Sequence, residues 1–165
     1  MYAVNKDTGQ LIWGYTVGGT PQAKPTVSRV GAFFTASDGF IYCLGHNSSL
    51  IWNQKMNASP SSGTTLYRGI LYAPVIGNRL LAFNPDNGSP AGNVTLSGQI
   101  SAPPVFSRGR MLVTYKTGYV AAYGEASDIS IDYLETNVKY PLRGDAVTVD
   151  VGVVNRGGRL FTQLM

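Results

Sequence analysis

Charge is scarce in this chain: 13% of its 165 residues are Asp, Glu, Lys or Arg, about half the usual share. There is one cysteine and one histidine. A lone Cys excludes an internal disulfide framework and any multi-cysteine metal centre, and a lone His makes no zinc site. No run approaches the roughly 18 unbroken apolar residues that a membrane-spanning helix needs. The apolar period of an amphipathic helix, about 3.6 residues, is also missing over any three turns, which argues against helical repeats. Aromatics, by contrast, are plentiful: ten Tyr, six Phe and two Trp exclude disorder. With 20 Gly and 9 Pro spread along the sequence, the composition is that of a turn-rich β protein.

Self-similarity dominates residues 1–124. Tyr2 to Trp13 reads YAVNKDTGQLIW, Ile41 to Trp52 reads IYCLGHNSSLIW, Leu80 to Gly92 reads LLAFNPDNGSPAG, and Val120 to Glu125 reads VAAYGE. Aligning Val4, Leu44, Phe83 and Tyr123 gives steps of 40, 39 and 40 residues. A second shared stretch precedes each later copy: PTVSRVG at 25–31, TTLYRG at 64–69 and PVFSRG at 104–109. The best copy predicts four strands, near 25–29, 32–36, 40–45 and 50–55, separated by Arg29-Val30-Gly31, Ser37-Asp38-Gly39 and Asn47-Ser48-Ser49. Gly and Asn suit these turns because they tolerate left-handed backbone. Four antiparallel strands per roughly 40 residues make a propeller blade. The fold class expected is therefore all-β, a partial propeller of about three and a half blades.

Closed propellers have about four to eight blades, so further blades and a ring-sealing strand are expected upstream of Met1, which stands where a third strand begins. Alone, such an open arc would fold poorly and expose strand edges. After Gly124 the charge changes sign. Residues 1–124 carry 9 basic and 3 acidic side chains, whereas 125–165 carry 4 and 6. Two β-rich stretches, Asp128 to Leu134 and Ala146 to Val154, predict the opening strands of a β-sandwich over 125–165.

At the repeats the chain resembles the pyrroloquinoline-quinone-type (PQQ-like) β-propeller proteins, whose repeats share a strand, a D-x-x-T-G or D-x-T-G turn and an outer-strand Trp. YAVNKDTGQLIW matches nearly throughout; the second copy departs at Asn47 and Ser49, and the third has Gly92 in place of Trp. The resemblance implies that Trp13 and Trp52 are interblade plugs and that the Gly92 blade is held more loosely. Residues 128–165 resemble the cell-adhesion-related (CARDB) domain of surface proteins, through Val149-Asp150-Val151, Asn155-Arg156-Gly157 and Phe161. Together the two resemblances imply a non-enzymatic, exported module for binding or scaffolding at a cell surface. The resemblance also keeps open a PQQ-dependent quinoprotein dehydrogenase with calcium, a periplasmic scaffold of outer-membrane assembly, and a sensor ectodomain.

Read from the residues alone, catalysis has little to work with. Asp7 and Asp86 share one turn position and Asp38 sits in an Asp-Gly hairpin, where a carboxylate caps the turn. A calcium site needs several converging carboxylates, so no catalytic, metal or cofactor residue is assigned. His46 reads as a solvated turn residue and Cys43 as a small buried one, aligned with Ala3, Ala82 and Ala122. The cations are dispersed, which argues against nucleic acid. Three of them are regular, however: Arg29, Arg68 and Arg108 occupy the first turn of successive blades and predict an arginine-bearing face for an anionic partner such as an acidic glycan or wall polymer, the module's partner at the cell surface being a protein or an anionic glycan. Four Asn-x-Ser/Thr sequons, at Asn47, Asn57, Asn87 and Asn93, are candidate glycosylation sites on an exported protein.

Overall fold

The computed structural model describes residues 1–124 throughout and, of the remainder, the backbone of two strands, 129–136 and 149–155. Every regular element among the described residues is a strand. The first unit contributes β1 (Tyr2–Val4) and β2 (Leu11–Gly14), an antiparallel pair. The second is a complete four-stranded meander of β3 (Thr26–Val27), β4 (Ala32–Thr35), β5 (Phe40–Leu44) and β6 (Leu50–Lys55). The third repeats it with β7 (Thr65–Tyr67), β8 (Ile70–Val75), β9 (Arg79–Phe83) and β10 (Pro90–Thr95). The fourth sheet holds β11 (Val105–Ser107), β12 (Arg110–Thr114) and β13 (Val120–Tyr123). The strands expected in the best copy thus lie where the turn chemistry put them.

Beyond these blades, β14 (Ile129–Thr136) pairs antiparallel with β15 (Val149–Asn155). β14 starts 39 residues after β10, at the phase of an outer strand. The expected domain boundary after Gly124, and most of the expected sandwich segment with Phe161, lie outside the described residues.

Side chains on a strand alternate between faces, so a strand sandwiched between two blades must be apolar on both. The middle strands β4, β5, β8 and β9 are buried almost end to end for this reason. Phe34, Tyr42 and Leu44 pack toward the first unit with Trp13 and Tyr15. Phe33, Ile41 and Cys43, on the opposite face, meet Leu71, Ala73, Leu81 and Phe83 of the third unit. Tyr72, Leu80 and Ala82 then meet Met111, Val113 and Tyr115 of the fourth. At the two ends of the stack the same repeat positions are uncovered: Tyr2 and Val4 on the first unit, Leu112 and Val120 on the fourth.

The outer edges are joined by tryptophan. The Trp52 indole N–H donates to the Pro85 carbonyl at 2.9 Å, and the Trp13 indole N–H donates to the His46 carbonyl at 2.7 Å. Both bonds run from an outer strand to the third turn of the next unit, across the same sequence interval of 33 residues. Each Trp stands opposite a small residue in its own sheet, Ala3 for Trp13 and Cys43 for Trp52, which leaves room for the indole. Gly88 lies against the Trp52 ring. A Cβ there would fall 2.5 Å from Trp52 Cε3, and its φ of +73° is itself unfavourable for an L side chain.

Gly92 pairs with Ala82 at the corresponding position, so the third unit has no indole to offer. The interface it shares with the fourth unit is bridged nearer the inner edge, where the Tyr67 and Phe106 rings stack at 4.3 Å. Tyr67 and Phe106 come from adjacent positions of the repeat, and adjacent positions face opposite ways, so each reaches toward the other across the gap.

Removing a buried Trp forfeits its packing and leaves a cavity, at a cost of about 3–5 kcal/mol. Trp52→Ala is therefore expected to lower the free energy of unfolding by that amount, read as a lower urea midpoint, and Gly88→Ala to lower the midpoint as well through clash and backbone strain. Trp13→Ala should cost less, because that ring is only half-buried. A Trp52→Ala protein that unfolds at the parent's urea concentration would contradict the plug.

Candidate functional site

The inner strands are tied across blades by threonines. Thr26 Oγ1 donates to the Thr64 carbonyl at 2.7 Å, Thr64 Oγ1 donates to Thr26 Oγ1 at 2.9 Å, and Thr65 Oγ1 donates to the Pro104 carbonyl at 2.7 Å. These bonds bring β3, β7 and β11 side by side and align the turn that follows each. Those turns carry Arg29, Arg68 and Arg108, all exposed. In the third and fourth units the turn is Arg-Gly with both residues left-handed: φ is +47° at Arg68 and +77° at Gly69, +50° at Arg108 and +76° at Gly109. Such turns favour Asn-Gly, and an L residue other than Asn or Asp pays roughly 1–2 kcal/mol to adopt this backbone. Arginine is thus not there for the turn's own sake. Beside it, the Arg68 guanidinium lies 5.3 Å from the centroid of the Tyr67 ring. Tyr67, Phe106 and Pro104 line an apolar cleft of about 570 Å³ between the third and fourth units. The inner edge therefore combines cations at the turns with flat aromatic surface behind them.

The remaining candidates lie apart from this edge. Asp7 accepts a 2.6 Å contact from Lys6, both well exposed. In the turn of Asp86 the cap is Asn84, whose Oδ1 accepts from the Asp86 backbone N–H at 2.8 Å. Asp38 caps the hairpin by accepting from the Phe40 N–H, and its other oxygen accepts from the Tyr42 hydroxyl at 2.6 Å. His46 is exposed, and the atom it contributes is its backbone carbonyl. Cys43 is fully buried, and burial, reinforced by the charge of Asp86, pushes its thiol up to about 11. All four sequon asparagines are exposed; Asn47 and Asn87 turn their side-chain oxygen back onto Ser49 and Ser89.

Three features escaped the sequence reading. The residue that organises the D-x-T-G turn is Asn5, whose side-chain oxygen accepts from both Asp7 and Thr8 N–H groups, with Asn84 doing the same for Asp86. The Tyr42–Asp38 bond was missed because its two residues belong to a strand and a turn. The Tyr67–Phe106 stack joins non-equivalent positions, which repeat alignment never compares.

No group of three His, Cys, Asp or Glu side chains converges on a metal-sized site among the described residues. With Asp7, Asp38 and Asp86 each committed to a different turn, the described residues do not fit a calcium-and-quinone site. Residues 37–132 match the sequence family described as outer membrane protein assembly factor BamB. The chain belongs to that BamB family. No curated protein matches it in sequence. Among solved structures it is similar to BamB from Moraxella catarrhalis, at 14% identity and a TM-score of 0.55 over 67% of this chain and 34% of that one. It is similar also to the quinohemoprotein alcohol dehydrogenase ADHIIG from Pseudomonas putida HK5, at 21% identity and a TM-score of 0.56 over 67% and 20% of the two chains. A third likeness is to quinohemoprotein alcohol dehydrogenase from Comamonas testosteroni, at 20% identity and a TM-score of 0.53 over 64% and 20%. The chain thus spans a fifth to a third of the length of these structures. At such identities they share its propeller fold, and the BamB repeat accounts for the blades.

Titration supplies a handle on this BamB-family core. Burial, and then the bond to the Asp38 carboxylate, push the Tyr42 phenol up to about 12 from 10.0. Tyr115, buried and bonded to the Tyr123 hydroxyl, is also pushed up to about 12. A folded-state pKa above the unfolded value favours the protonated phenol in the fold, so this stability is complete below pH 10 and is lost as pH rises toward 12. Melting temperature is expected to fall steeply over that window, and less steeply in Tyr42→Phe. Equal slopes for the two proteins would contradict the assignment.

Proposed function

We propose that this chain is part of an exported propeller that works by binding, as a scaffold in the cell envelope or at the cell surface, with the turns of Arg29, Arg68 and Arg108 as its contact face. The observation that carries this reading is the left-handed Arg-Gly turn, which places an arginine where turn geometry alone would choose asparagine, on two successive blades. Guanidinium groups make bidentate, charge-assisted bonds to carboxylates, so the partner is an acidic protein surface or an anionic glycan. Membership in the outer membrane protein assembly factor family supports a protein partner and a periplasmic or otherwise exported location. A sandwich domain of the cell-adhesion-related type over 125–165 belongs to the same reading, supported by the β14–β15 pair. The described residues include no helix long and apolar enough to cross a membrane.

A second reading draws on the likeness to quinohemoprotein alcohol dehydrogenases. Under it, these blades would be the frame of an oxidoreductase whose quinone and calcium ligands come from other parts of a longer chain. Fold similarity alone gives it weight, and propellers host many functions.

The test replaces Arg29, Arg68 and Arg108 together by Ser and compares retention on polyaspartate and polygalacturonate columns. Because exposed ion pairs are salt-sensitive, the variant is expected to elute at clearly lower salt than the parent. Identical elution on both columns would end the binding-face reading. Oxidation of an alcohol by the parent in the presence of pyrroloquinoline quinone and calcium would favour the second.

A further inference from the structure

The outer edge between the second and third units holds a cleft unlike the inner one. Trp52 closes the gap at one end of β6, but the next residues on the same face are Gln54 and Met56, which cannot fill it. A space of about 200 Å³ remains, floored by Met56, Leu81 and Phe83 and edged by Lys55, Arg79 and Asn93. Arg79 is half-buried there, and among the described residues its guanidinium forms no ion pair and no side-chain hydrogen bond. None of Asp7, Asp38 and Asp86 lines the cleft. A guanidinium partly withdrawn from water above an apolar floor is stabilised by an anion, and no carboxylate of residues 1–124 lines that place.

Two further properties point to the kind of anion. The cleft is smaller than the roughly 300–1,000 Å³ of small-molecule pockets and suits a single side chain. It also runs beside β6 and β10, the outermost strands of their sheets, whose outward peptide groups have no strand partner among the described residues. Such edges accept extended peptides by strand addition.

We infer that this cleft receives a Glu or Asp side chain from an extended segment of a partner protein laid along the edge of β10, with Arg79 and Lys55 pairing its carboxylate and the Asn93 amide bonding beside it. The inference rests on the binding-scaffold reading and adds a second contact, on the outer side of the blades.

The experiment measures fluorescence anisotropy of the full 165-residue chain with a labelled ten-residue peptide of alternating Glu and Val. The same peptide with Gln for Glu is expected to bind at least tenfold more weakly. Arg79→Gln should weaken the Glu peptide by a similar factor, and Arg79→Lys by less. Asn93→Tyr, at an exposed edge position, should fill the cleft and weaken binding without disturbing the fold, which circular dichroism checks. The Arg29, Arg68 and Arg108 triple variant should bind the peptide like the parent. Unchanged affinity in both Arg79→Gln and Asn93→Tyr, or no binding by the parent, would overturn the inference. Loss of binding only in the triple variant would overturn it too, while leaving the scaffold reading standing. Arg79-dependent binding of polygalacturonate in place of the peptide would identify an acidic sugar as the occupant and likewise overturn it.

Discussion

The hydrogen bond from a tryptophan indole to the carbonyl of the next unit's turn is the contact on which the stack depends at its outer edge. A single four-stranded blade is apolar on both faces and cannot bury either alone, so each unit is stable only against its neighbours. Interior packing alone would allow blades to slide or rotate, because apolar contact is non-directional. The indole adds direction: its ring must lie flat on Gly88 while its N–H meets one particular carbonyl. Threonines perform the matching task at the inner edge, bonding Thr26 to Thr64 and Thr65 to Pro104. Between the second and third units both edges are pinned, and between the third and fourth the threonine bond and the Tyr67–Phe106 stack hold the inner edge, so the turns that follow β3, β7 and β11 are kept in register.

The proposed contact face of three arginines depends on that register. In the sequence Arg29, Arg68 and Arg108 are far apart, and only the repeat brings them to equivalent places. The aromatic stack behind them comes from the same geometry, since Tyr67 and Phe106 approach from opposite faces of neighbouring sheets. The outer cleft at Arg79 arises from the opposite circumstance. There the repeat supplies Gln54 and Asn93 where larger side chains would have sealed the gap, and a cation is left half-withdrawn from solvent.

The strand pattern and the four-stranded unit were legible because each recurs at a fixed period and has a local chemical cause, whereas the plug role of Trp13 and Trp52 came from the family resemblance. Left-handed turn residues mark the hairpins. What was illegible has no period. The Tyr42–Asp38 bond occurs once, and the partners of the Tyr67 stack occupy different repeat positions. The cleft is defined by what does not fill it. Asn5 and Asn84 were visible as residues, but attention fell on the aspartates two positions later because a carboxylate suggests chemistry and an amide suggests only polarity. In both turns the amide oxygen holds the loop. At Gly92 the missing Trp is real, and nearer the inner edge Tyr67 and Phe106 stack across the same interface, at positions that a repeat alignment does not compare.

The central claim is that the arginine-bearing turns meet a partner in the cell envelope. Footprinting with phenylglyoxal, which modifies accessible arginines, tests it most directly when the protein in intact envelopes is compared with the isolated protein. The account predicts that Arg29, Arg68 and Arg108 are exposed in isolation and protected together in the envelope. Equal modification of all three in both settings would contradict it.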